Sequence, residues 1–206
     1  MSHVHVVATV AGTPIAVEEV DAAEARLRSG RGAAALPASD TSAGRQLRRW
    51  LTQLIVTERV VVAEAAARGL NVADAPTEAE LLPDVTARLE IGSIAAAALA
   101  NPCARALFAD VTAAVQVSDD EVTEYHARNP LRFAAPRPGG HGWRAPADAG
   151  PSLDQVRFAI IEHLRGAACR RTFRTWLDAR RAELVQLAPG YEHPGDPRQP
   201  DNTHRH

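Results

Sequence analysis

Lysine is absent: all 23 basic residues are arginine, set against 25 acidic ones, for a formal net charge of −2. Without a basic surplus there is no electrostatic reason to expect a nucleic-acid partner. Aromatic residues are only 4% of the chain, so a core of packed rings is excluded. Two cysteines, Cys103 and Cys169, make no disulfide framework, and neither has an adjacent positive-dipole or histidine setting that would make it reactive. No apolar run approaches the ~18 residues of a membrane span; IAAAALA at 94–100 is far short. The opening MSHVHVVATVAG lacks the basic region and apolar stretch of a secretory signal. These absences predict a cytoplasmic protein with no membrane partner. A Gly-x-Ser-x-Gly elbow and a Gly-x-Gly-x-x-Gly turn are also missing, so neither a serine acyltransferase nor a Rossmann-type cofactor site is expected.

Alanine is abundant, at 41 of 206 residues, and the hydrophobic fraction of 46% is that of a globular chain. A core of Ala, Val and Leu favours closely approaching helices. Residues 4–10 (VHVVATV) read as a short strand, Gly12-Thr13-Pro14 as a turn, and 17–28 as a helix. From Ser42 to Arg68, apolar residues recur at helical spacing through Leu47, Leu51, Leu54, Ile55, Val61, Val62 and Ala65, with Gly69 as the stop. A short helix follows Asp74 with Pro76 in its first turn, and further helices are expected over 84–100 and 103–114. Ser118-Asp-Asp-Glu121 and Ser152-Leu-Asp-Gln155 are capping-box patterns; they open a helix that stops at Asn129-Pro130 and a long one that runs to Glu183. Leu184–Leu187 reads as a closing strand. The fold class is therefore mainly α, with a long C-terminal helix and a minor β element joining the two ends. One domain is expected over 1–188, with a Pro/Gly loop at 134–151 and a Pro/His-rich tail at 189–206 folded back on the body.

The segments VATVAGTPIAVEEVDAAEARLR (7–28), RQLRRWLTQLIVTERVVVAEAAARGL (45–70), VSDDEVTEYHARNPLRF (117–133) and the terminal helix resemble, in that order, the SurA-like helical chaperone module of parvulin-type prolyl isomerases. The resemblance implies the helical fold and a groove for apolar clients. In that family a parvulin domain sits where this chain has only residues 134–151, so prolyl isomerase activity is not expected. Chains shortened in this way are similar to small proteins encoded in aromatic-polyketide gene clusters, which implies a role in antibiotic biosynthesis.

Histidine is the main lead to chemistry. His3 and His5 would share one face of a strand, and His204 and His206 repeat the spacing at the other end. If the terminal strands pair, these four and His193 can assemble a site for zinc or another transition metal; solvated histidines on frayed ends are the alternative. Glu58 falls on the apolar line of its helix, where desolvation would suit it to acid–base work; the alternatives are a buried pair with an arginine, or a helix face rotated enough to let it reach water. His163 shares a helix side with Val156, Ile160 and Ala167, and a Glu58–His163 pair across two helices would make a catalytic constellation; a core histidine bonded to a carbonyl is the other reading. Tyr125, His126 and Trp143, beside or within the Pro/Gly loop, are candidate substrate contacts. Arg170, Arg171, Arg174, Arg180 and Arg181 read as a solvated helix face, with a phosphate- or carboxylate-binding role as the alternative.

Two functions follow. One is a small-molecule enzyme, tailoring an apolar aromatic polyketide or quinone-like substrate with polar chemistry from histidines or Glu58. The other is a chaperone-like binding module for a hydrophobic client protein or partner enzyme. An alanine-rich helical surface also leaves room for a homodimer.

Overall fold

The computed structural model describes residues 5–133, 150–194 and 196. Strand β1 (Val6–Val10) turns into β2 (Thr13–Ala16) through Ala11 at φ 48° and Gly12 at φ 79°. Positive φ at both central positions is the hairpin turn whose twist matches that of the flanking strands. Thr13 and Pro14, expected in the turn, belong instead to β2. That strand lies at the sheet edge, where proline's missing N–H is tolerated. The far end of the chain supplies β3 (Val185–Leu187), antiparallel to β1, with Ala8 opposite Leu187 and Val10 opposite Val185. The strand order β2-β1-β3 thus joins the N- and C-terminal segments, as the sequence predicts.

The rest is helical. Helices α1 (Val17–Arg28) and α2 (Ser42–Ala67) are followed by the short α3 (Glu78–Leu81), α4 (Val85–Ile91) and α5 (Ser93–Ala98). Then come α6 (Pro102–Thr112), α7 (Asp119–Arg128) and α8 (Leu153–Leu184). The single helix expected over 84–100 is split at Gly92, whose φ of 88° cannot continue an α-helix. Thr77, not Asp74, caps α3, so Pro76 precedes that helix. The capping at Ser118 is reciprocal: its hydroxyl accepts the Glu121 N–H at 3.3 Å, and the Glu121 carboxylate accepts the Ser118 N–H at 2.8 Å.

Helix α8 is the axis of the molecule. Its 32 residues extend about 48 Å at ~1.5 Å per residue. Cys169, Phe173 and Leu177, in its C-terminal half, are buried in the main core with the sheet, α2 and α6. Val156 and Ile160, in its N-terminal half, form a smaller core with Val122 of α7. Its arginines do not form one solvated face: Arg170 is 7% exposed, and Arg181 is half-buried against α2. Among the described residues no helix is long and apolar enough to cross a membrane.

Candidate functional site

Helices α2 and α8 run antiparallel. Arg181 Nη1 donates to Thr57 Oγ1 at 2.9 Å, Arg180 Nε to Glu64 Oε1 at 3.0 Å, and the Arg68 guanidinium lies 5.1 Å over the Trp176 ring. There α2 ends, while α8 continues toward its N-terminus for another thirteen residues to His163, roughly 20 Å of helix. The overhang carries α7 and the small core. It also forms one wall of a cleft of about 560 Å³ against α4 and α6.

The lining of the cleft is mixed: Phe108, Ala109, Ala113 and Cys169 are apolar, and charged side chains from α3, α4 and α8 stand beside them. Phe108 is fixed by Phe173, with ring centroids 5.0 Å apart. Arg170 crosses from α8 to α4: its Nε donates to Glu90 Oε2 at 2.7 Å and its Nη1 to Leu81 O at 3.3 Å. A Cβ on Gly166, one turn earlier, would stand 3.2 Å from Arg170 Nη1, so the glycine leaves the guanidinium its path across the helix. Periodicity concealed this arginine because its helix side also carries apolar residues.

His163 stands on the wall. Its ring lies 5.4 Å from that of Tyr125 and 6.1 Å from that of Phe133, centroid to centroid. Among the described residues neither ring nitrogen has a hydrogen-bond partner, so the core histidine bonded to a carbonyl is not what the structure contains. Burial of the ring and, secondarily, the Arg132 cation hold its pKa below the ordinary histidine value. The imidazole is therefore neutral at pH 7, with a nitrogen lone pair available as a base.

Tyr125 and His163 are thus brought together, and His126 is turned to a structural task. Its Nε2 lies 2.9 Å from Pro151 O and donates to it. Nearby, a Cβ on Gly150 would meet Pro130 O at 2.1 Å, a close approach that only glycine permits. These contacts join the chain on either side of the Pro/Gly loop at the end of α7. Trp143 lies outside the described residues, as do His3, His204 and His206.

Glu58 does not join His163. Thr57, its neighbour, contacts Arg181, eighteen residues or roughly 27 Å along α8 from His163. Glu58 is half-buried, and desolvation raises its carboxyl pKa against a smaller opposing effect of Arg26. The buried face of α2 is rotated from the expected one: Val62 is 45% exposed, whereas Gln53, Thr57 and Glu64 are buried. Glu64 is the buried carboxylate of this helix, held by Arg180 and by Arg68 at 3.6 Å; its i,i+4 spacing to Arg68 was the available signal.

The first part of the tail lies on α2. Arg49 Nε donates to Gly190 O at 3.2 Å and Gln53 Nε2 to Tyr191 O at 2.7 Å. His193 follows, with a pKa lowered by burial and then by the Arg181 cation, while His5 is exposed at the entry to β1. Pairing of β1 with β3 does bring the two ends of the chain together. Among the described residues, however, no group of three or more His, Cys, Asp or Glu side chains is placed to hold a metal.

Comparison with known proteins reaches only the N-terminal part. Residues 6–42, covering the hairpin, α1 and the loop after it, match a family of unknown function (DUF7158). Neither a curated protein nor a solved structure shows a significant match to the chain.

Proposed function

We propose that the protein is a small-molecule enzyme on a SurA-like helical scaffold, acting on a flat aromatic ketone of the polyketide or quinone-like class, with His163 as general base. One observation carries the reading. A neutral imidazole without a described hydrogen-bond partner lines a cleft of about 560 Å³ that also presents the apolar Phe108 and Cys169, a size suited to a ligand of a few fused rings. The step is proton abstraction beside a carbonyl. The C–H proton passes to the imidazole, the bonding pair moves onto the carbonyl oxygen as an enolate, and return of the proton at carbon or oxygen completes the turnover. Tyr125 supports the ring by packing against it, although it is not itself among the residues that line the cleft.

The test uses 2-tetralone as a surrogate in D2O, with α-deuterium incorporation followed by NMR. Exchange above the buffer rate, lost in His163→Gln at unchanged thermal stability, is the expected result. Exchange at the buffer rate in the wild-type protein overturns the proposal.

The chaperone-like reading draws support from exposed apolar side chains: Phe158 is 76% exposed, Leu89 75% and Val85 72%. Suppression of aggregation of an unfolded client at equimolar protein, with no tetralone exchange, would favour it. Metal assistance through His3, His5, His193, His204 and His206 is a separate proposal. Elemental analysis decides it: near-stoichiometric zinc or another transition metal, lost in the His204→Ala/His206→Ala double variant, is the required outcome.

A further inference from the structure

The charges lining the cleft are mostly engaged within the protein. Glu90 takes the Arg170 guanidinium, Asp84 accepts the Ala87 N–H at 2.8 Å as the cap of α4, and Glu80 accepts the Thr77 N–H at 2.6 Å. Arg165 Nε donates to Val115 O at 3.3 Å. Glu162, exposed and next to His163 in the sequence, also lines the cleft, and among the described residues its carboxylate has no hydrogen bond or ion pair. Arg132, an exposed side chain, is the cation of the lining that is likewise unengaged. Among the described residues its guanidinium donates no hydrogen bond and joins no ion pair, although it lines the cleft.

Its backbone is held in a turn at the edge of the cleft. The turn after α7 is closed by Arg132 N–H donating to Asn129 O at 3.2 Å, and the next residue, Phe133, packs its ring on His163. Arg132 is close enough to His163 for its cation to oppose protonation of the imidazole. A cation beside a neutral base, in a cleft that also presents Phe108 and Cys169, suits a ligand that has an acidic group at one edge and flat carbon elsewhere. A guanidinium presents two parallel N–H donors, the spacing of the two oxygens of a carboxylate.

The geometry points to Arg132 as the specificity-determining residue of the cleft, selecting an aromatic carboxylate over a neutral aromatic of the same shape. This inference rests on the cleft being the ligand site, and the experiment separates the two claims.

Binding of 2-naphthoate and of its neutral isostere 2-naphthamide to the full chain is measured by titration calorimetry, with the His163 ring resonances followed by NMR. A preference of about tenfold for the carboxylate is expected, the order of one charge-assisted hydrogen bond at a partly exposed site. The preference should vanish in Arg132→Gln, return in part in Arg132→Lys, and shrink as salt is raised. Equal affinities in the wild-type protein, or a preference that survives Arg132→Gln, overturn the role of Arg132 and leave the cleft reading standing. Failure of both probes to bind or to move the His163 resonances overturns both.

Discussion

Arg170 Nε donates to Glu90 Oε2 at 2.7 Å, tying the middle of α8 to the last turn of α4 at the edge of the cleft. The arginine side chain is only 8% exposed, whereas its partner is 29% exposed. The pair is therefore asymmetric: water can still reach Glu90, but Arg170 depends on its protein partners.

Removing that partner should be costly. Glu90→Gln leaves a buried guanidinium with a neutral amide and the Leu81 carbonyl, and is expected to destabilise the fold by about 2 kcal/mol. Urea denaturation of Glu90→Gln, Arg170→Met and the double variant forms the cycle. A coupling energy below about 0.5 kcal/mol would show that the contact does not hold α4 to α8.

His163 and His193 both have pKa values lowered by burial. A group whose pKa is lower folded than unfolded gives stability that is present above its unfolded value, near 6.5, and lost as pH falls through its folded value. Thermal stability should therefore decline as pH is lowered from 7 toward 5. The decline should be shallower in His163→Gln and shallower again when His193→Gln is added. Parallel profiles for wild type and both variants would exclude this origin.

Glu58 works in the opposite direction. Burial raises its carboxyl pKa, so its contribution is fully present below the unfolded value and lost as pH rises through the folded one. Glu58→Gln should accordingly be more stable than wild type at pH 7, with the advantage shrinking toward pH 4. Melting curves at the two pH values decide it; a variant less stable than wild type at pH 7 contradicts the assignment.

The hairpin offers a stabilising change. Ala11 holds a φ of 48° while its N–H donates to Leu184 O at 2.8 Å. Asparagine tolerates that left-handed conformation better than alanine and keeps the N–H. Ala11→Asn should gain about 0.5–1 kcal/mol, raising the melting temperature by roughly 2–4 °C. An unchanged or lowered melting temperature would mean that the turn is not strained.

Local signals made the secondary structure legible. The capping boxes at Ser118 and Ser152, the stop at Gly69 and the β-branched run before Ala11 act within a few residues, and the corresponding elements begin or end where those signals stand. The break at Gly92 was missed because a lone glycine among alanines is compatible with a helix until its φ is known. Of the candidate residues, the sequence singled out His163 and Tyr125 one at a time; it contained nothing that placed them 5.4 Å apart.

The chain by itself determined a mainly helical protein whose ends meet in a small sheet, because periodicity, caps and turn residues are properties of neighbouring positions. The tertiary structure decided which polar side chains face a cavity. The 32-residue length of α8 carries it past the end of α2, so His163 lies beyond the reach of Glu58 and beside α7. The rotation of α2 buries Glu64 where periodicity had placed Glu58. Both outcomes depend on how two long helices are set against each other, and that follows from packing across the whole core rather than from the spacing along either helix.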